Sequence, residues 1–131
     1  MLPHPPKCLV VDDSDSMLRM LSLFMEHLGF DPITAHDGDE GISAVRKHHP
    51  DLVVSYIHMP NRNGLLLLQD IKELNPALPV ILITGYIHYK ADANAVATQP
   101  DAFMEKPFTL EQMREAVDKL KPSIERAWRV Q

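Results

Sequence analysis

Five short apolar runs alternate along the chain with five stretches of helical period. The runs are Cys8-Leu9-Val10-Val11, Pro32-Ile33-Thr34-Ala35, Leu52-Val53-Val54-Ser55, Val80-Ile81-Leu82-Ile83 and Ala102-Phe103-Met104. The first, third and fourth alternate little between apolar and polar residues, as strands covered on both faces do. Between the runs the period lengthens. Met17, Leu18, Leu21, Phe24, Met25 and Leu28 recur at helical spacing, and Gly29 is placed to end that helix. A weaker second helix turns Ile42 and Val45 inward and stops at Pro50. Leu65, Leu68, Ile71 and Leu74 make the stripe of a third, closed by Asn75-Pro76. A fourth, over residues 89–98, is rich in alanine and has a poor apolar stripe. The fifth opens on a capping box, Thr109 with Gln112, and a hydrophobic staple, Phe108 with Met113. Leu110, Met113, Val117 and Leu120 form its buried stripe. Lys121-Pro122 is expected to break or kink it. Residues 123–129 then read either as a frayed tail or as a contact surface using Ile124 and Trp128, at i and i+4.

Strand and helix in alternation, joined by short connections, predict an α/β fold: a doubly wound parallel sheet with right-handed crossovers and helices on both faces. In such sheets ligands collect at the carboxyl ends of the strands, near the topological switch point. Those ends carry Asp12-Asp13, Tyr56, Thr84 and Lys106. Four polar positions at the ends of four apolar strands mark one candidate site.

Composition narrows the picture. A length of 131 residues predicts one domain, here residues 7–121, between a flexible segment 1–6 and a tail or linker stub 122–131. The formal charge of -5 argues against nucleic-acid binding by bulk electrostatics. One cysteine, Cys8, excludes an intramolecular disulfide and fits a reducing, cytoplasmic setting; its apolar neighbours make it a small buried hydrophobe. The first residues lack the apolar core of a signal peptide, and no segment approaches the ~20 apolar residues of a membrane span.

Adjacent carboxylates repel, so Asp12 and Asp13 in one crevice call for a cation; the alternative is that one of them caps the helix starting near Ser14. The same acidic loop disfavours a flavin- or nucleotide-binding domain, whose phosphate cradle needs N–H groups and hydroxyls. Thr84 is either an ordinary strand-end threonine or a hydroxyl donor to a phosphoryl oxygen. Lys106, before Pro107, would neutralise the aspartates. His58 and His88 fall in loops at the same end, where they are either solvated or, with Asp12 and Asp13, ligands of a transition metal. His48-His49 ends a helix, where positive charge suits the dipole.

As an ordered set, these residues resemble the response-regulator receiver family over residues 7–121. The set is Asp12-Asp13, Asp51-Leu52-Val53-Val54 leading to Met59-Pro60 and Gly64, Thr84-Gly85, and Phe103 before Lys106-Pro107. The resemblance implies a five-stranded sheet of flavodoxin-like order 2-1-3-4-5 and a role in two-component phosphorelay signalling. It makes Asp12 and Asp13 the acidic metal pair, with the His58 backbone carbonyl in the magnesium shell. It makes Thr84 and Lys106 the phosphate-sensing pair and Phe103 the aromatic switch. It also implies a cis Lys106–Pro107 peptide. Partners would be a histidine kinase or an output protein. They would dock on the face of the fourth helix, fifth strand and fifth helix, which could also pair two copies of the chain. No output domain follows within the 131 residues, so the chain is expected to be a stand-alone regulator or one domain of a larger protein.

One position departs from the pattern. The family's phosphoacceptor aspartate falls at Tyr56. An acyl phosphate needs a carboxylate, and a phenol with a pKa of about 10 is neutral at pH 7 and a poor magnesium ligand. Magnesium binding is therefore expected to be weak, receiver-type self-phosphorylation to be lost, and the chain not to be an enzyme. The ring would fill the crevice or swing out over it, and Lys106 would turn to Asp12, Asp13 or solvent. Asp51 lies at the wrong end of the strand, and Ser55 points to the opposite face. Phosphorylation on Tyr56 itself lacks any chemistry to supply it. The expected function is an interaction module of receiver type. The alternative is a phosphoryl-accepting receiver seen as an Asp-to-Tyr variant, or one using another acceptor.

Overall fold

The computed structural model describes residues 4–59, 62–85 and 98–129, apart from the side chains of the last four. The strands are β1 (Lys7–Val11), β2 (Asp31–Ala35), β3 (Leu52–Tyr56), β4 (Val80–Thr84) and β5 (Ala102–Glu105). They form one sheet in the order β2-β1-β3-β4-β5, every pair parallel. This is the order expected. The helices are α1 (Asp15–His27), α2 (Gly38–His48), α3 (Gly64–Leu74) and a long C-terminal helix (Leu110–Arg129). The expected fourth helix, with its alanines, and His88 lie outside the described residues.

The period of two along a strand sends alternate side chains to opposite faces, and this chain has an apolar layer ready on each. Cys8 and Val10 join Leu18, Leu21, Met25, Met113, Val117 and Leu120 beneath α1 and the C-terminal helix. Leu9 and Val11 join Val45, Val53, Leu67, Leu68, Ile71 and Leu82 beneath α2 and α3. Burial on both faces explains the unbroken apolar runs. Burial also pushes the Cys8 thiol far above its ordinary pKa, so it packs as a hydrophobe.

Helix ends follow local chemistry. Ser14, Asp37 and Asn63 each accept a hydrogen bond from the N–H three residues on, capping α1, α2 and α3. Gly29 follows α1 with φ +96°, as its position suggested. His49 closes α2 in the left-handed region at φ 49°, a terminus whose dipole suits a histidine. The capping box is reciprocal: Thr109 N–H donates to Gln112 Oε1 at 2.8 Å, and Gln112 N–H to Thr109 Oγ1 at 3.1 Å.

Two expectations need correction. Leu74 is not part of the α3 stripe: it is 47% exposed, while Gly64, Leu67, Leu68 and Ile71 are buried. A run of residues spaced by three drifts around a helix of 3.6 residues per turn, so its last member leaves the core face. Nor does Lys121-Pro122 break the last helix, which continues through Pro122 to Arg129. Proline there lacks an N–H to donate, but Ile124 beyond it is 2% exposed and joins the α1-side core. Ile124 is thus an internal core residue and not an exposed contact. We expect Ile124→Ala to cost about 2–4 kcal/mol in urea denaturation, the usual range for a large-to-small core change. A variant as stable as the wild type would return residues 122–129 to the status of a tail.

Candidate functional site

The strand ladders extend past their carboxyl ends and thereby fix the backbone of the site. Asp12 N–H donates to Ala35 O at 3.1 Å, Ile57 N–H to Ile83 O at 2.9 Å, and Lys106 N–H to Thr84 O at 2.8 Å. Gly64 N–H turns back to Ile57 O at 2.9 Å. The approach is so close that a Cβ on Gly64 would lie 2.5 Å from Tyr56 O. That contact is a physical reason for glycine eight residues after Tyr56. The Lys106–Pro107 peptide is cis, as the resemblance implied.

Asp12 is 1% exposed and splits its two oxygens between two tasks. Oδ1 accepts from Ser14 N–H at 3.0 Å, organising the turn in which Ser14 caps α1. Oδ2 has no hydrogen-bond donor and lies 3.8 Å from the Lys106 ammonium. The capping role suggested for this acidic pair falls to Ser14 instead, while Asp12 shapes the turn before it and keeps its other oxygen in the crevice. Burial pushes the Asp12 carboxyl above the ordinary carboxylate range. Asp13 adds to that push, while the Ser14 N–H and Lys106 oppose it. Asp13 itself is exposed. Carboxylates at the opposite end of the sheet behave differently. Asp51 accepts from Lys7 N–H at 2.8 Å, while Asp101 accepts from Val80 N–H at 2.8 Å and pairs with Lys72 at 2.7 Å. Those two stitch strand starts together, whereas Asp12 keeps an oxygen turned toward a cation.

Lys106 has two neighbours. Its Nζ stands 3.8 Å from the centroid of the Tyr56 ring as well as 3.8 Å from Asp12 Oδ2. Of the destinations open to it in the sequence, it takes Asp12, and it adds one not foreseen, the aromatic face. Tyr56 is half-buried and packs against both halves of the core, with its hydroxyl 3.4 Å from where a Cβ on Gly85 would stand. The ring thus lies across the end of β4. Thr84 is buried beside it at 1% exposure. Ser55 is fully buried and donates to Tyr56 O at 2.9 Å; it is no substitute acceptor. Phe103 lies on β5 opposite Leu82 and packs on the α2–α3 side of the core.

His58 is exposed, and among the described residues no group of three His, Cys, Asp or Glu side chains is placed to hold a metal ion. A three-carboxylate magnesium shell does not fit the residues present. Asp12 and Asp13 could each offer oxygen, but the third position is a phenol, and an ammonium already stands against Asp12. Sequence reasoning also passed over His36, at the end of β2. Its Nε2 lies 2.9 Å from Asp15 Oδ1 and its Nδ1 3.2 Å from Glu40 Oε1, joining the start of α1 to the first turn of α2. The signal was present: Glu40 follows His36 by four residues, and Asp15 opens the neighbouring helix.

Residues 8–118 match the response regulator receiver domain family. The chain is 33% identical over 110 residues to the probable transcriptional regulatory protein TcrX of Mycobacterium tuberculosis, covering 84% of this chain and 47% of that protein. It is 30% identical over 131 residues to the transcriptional regulatory protein GlrR of Escherichia coli, covering 95% of this chain and 29% of that protein. It is also 33% identical to a segment of the E. coli sensor histidine kinase RcsC, 12% of that protein's length. The chain thus spans less than half of each of these relatives. Among solved structures, a receiver domain protein from Clostridium thermocellum superposes with a TM-score of 0.83 at 25% identity, covering 96% of this chain and 99% of that one. The response regulator TrrA of Thermotoga maritima, solved with magnesium and beryllium fluoride, gives 0.80 at 30% identity, covering 88% and 98%. Among the described residues, no helix is long and apolar enough to cross a membrane.

The His36 bridge generates a pH prediction. Its hydrogen bonds to Asp15 first and Glu40 second raise the imidazole pKa above the ordinary value. A raised folded pKa means that the added stability is fully present below the unfolded value of about 6.5 and is lost as pH rises through the folded one. Thermal melts of wild type and His36→Gln should differ most below that pH and converge above it. A gap that does not change across this range would remove the bridge as a titrating element.

Proposed function

This chain belongs to the response-regulator receiver family, and we propose that it works in two-component signalling as an interaction module that is not phosphorylated at the usual position. The observation that carries this reading is the Lys106 ammonium resting 3.8 Å above the Tyr56 ring. In the family's chemistry a lysine at this post meets the phosphoryl group on an aspartate. Here its partner at the end of β3 is a phenol face, which can attract a cation but cannot form an acyl phosphate.

In this reading the residues of the crevice keep their places and lose the reaction. Asp12 and Asp13 would bind magnesium only weakly, having two carboxylates and a competing ammonium. Magnesium, when bound in a receiver, neutralises charge around the acceptor and incoming phosphate. Thr84 and Lys106 remain as the pair that would sense a phosphoryl group. Phe103 occupies the switch position on β5, with its ring on the α2–α3 side. The chain has no enzymatic step of its own. Its partners would be a histidine kinase or an output protein, in a cytoplasmic setting, engaged through the surface that includes β5 and the C-terminal helix. That surface carries a groove of about 710 Å³ lined in part by Phe103, Lys106, Phe108 and Gln112. A second copy of the chain is the other candidate occupant.

Acetyl phosphate with magnesium, followed by intact-mass measurement, tests the reading. We expect the wild type to show no added phosphoryl mass and Tyr56→Asp to acquire one that is lost on alkaline treatment. A stoichiometric, alkali-labile gain on the wild type would overturn the proposal, since it would place an acyl phosphate elsewhere on the chain.

A further inference from the structure

The crevice residues come from four strand ends, and one side chain touches what the others hold. Asp12 follows β1, Tyr56 ends β3, Thr84 and Gly85 end and follow β4, and Lys106 follows β5. Lys106 is fixed at its backbone, where its N–H donates to Thr84 O at 2.8 Å, and at its tip, between Asp12 Oδ2 and the Tyr56 ring. The ring in turn is held by packing against both core layers and by its position across Gly85. The buried Oδ2 of Asp12 accepts no hydrogen bond, so its counter-charge is the ammonium 3.8 Å away. The face of an aromatic ring draws a cation without adding a net charge, so it can occupy the place of an anion without repelling Asp12.

We propose that Tyr56 and Lys106 form a built-in latch in which the phenol ring holds the ammonium against Asp12 and ties the ends of β1, β3, β4 and β5 without metal or phosphate. The proposal rests on reading Tyr56 as the residue at the acceptor position and goes beyond it. It concerns what replaces the missing chemistry, namely a permanent internal contact. The misfit of the donor set to magnesium belongs to the same inference, because the lysine supplies the positive charge at Asp12. Tyr56 is then a positioning residue acting through Lys106. The β5 strand, and with it Phe103, is held in one arrangement by the chain itself.

Nuclear magnetic resonance on the full chain tests the latch. A cation above a ring face places the Lys106 ε-methylene protons in the shielding cone, so they should resonate upfield of those of the other lysines in the wild type. The shift should persist in Tyr56→Phe, which keeps the ring, and vanish in Tyr56→Leu. Hydrogen exchange at the Lys106 amide should accelerate roughly fivefold to thirtyfold in Tyr56→Leu and stay near the wild-type rate in Tyr56→Phe. An unshifted Lys106 in the wild type would overturn the proposal and requires no variant to fold. So would a leucine variant that matches the wild type in exchange, or a phenylalanine variant that behaves like leucine. These outcomes are separate from the phosphorylation assay. Unlabelled wild type with an unshifted lysine defeats the latch alone, whereas an alkali-labile phosphoryl gain defeats the underlying reading.

Discussion

A parallel sheet buried on both faces leaves almost no place for polar side chains except the strand ends. In this chain Leu9, Val10, Val53, Val54, Ile81 and Leu82 are all fully buried, and alternate positions feed two separate apolar layers. Right-handed crossovers in the same direction bring the carboxyl ends of the strands together at one edge. The residues that follow those strands therefore meet whether or not they react. Everything distinctive about the protein happens at that edge. Asp51 and Asp101, at the opposite one, anchor strand starts.

At the carboxyl edge the dominant energetic problem is the buried Asp12 carboxylate. Desolvation disfavours its charge, and the Ser14 N–H satisfies only one of its oxygens. A cation must offset the remainder, and the choice lies between a bound metal ion and a side chain. In the proposed reading Tyr56 tips that choice. A carboxylate at its position would add a third oxygen ligand and favour a hard divalent ion. A ring adds a face that holds an ammonium of about the same reach as the one observed. In the proposed reading, the loss of acceptor chemistry and the contact of Lys106 with the ring are two consequences of one residue.

Most of the fold was legible because its signals are local or periodic. The strand runs, the Gly29 terminus and the Thr109–Gln112 box each depend on a few neighbouring residues. The errors came where tertiary packing overrides such signals. Leu74 looked like a core residue by spacing but rotates out of the buried face. Pro122 looked like a stop, yet the burial of Ile124 sits with a helix that passes through it. At the site, the order of strand-end residues shows which of them gather but not how they pair. The contact of Lys106 with the Tyr56 face depends on the angle of a ring, and the His36 bridge joins residues 21 positions apart. The first carries no motif, and of the second only the His36–Glu40 spacing of four is local.

In the proposed latch, the crevice of the wild-type protein is already occupied by its own lysine and phenol. The most direct measurement is a titration of the wild type with magnesium and beryllium fluoride, followed by amide resonances in a two-dimensional nitrogen–proton spectrum. The amides of Asp12, Asp13, Thr84 and Lys106 should show no saturable shift at concentrations that fully load a receiver with an acceptor aspartate. Saturable shifts at those four residues would contradict it, because an ion and a phosphate mimic would then have displaced Lys106 from the Tyr56 ring.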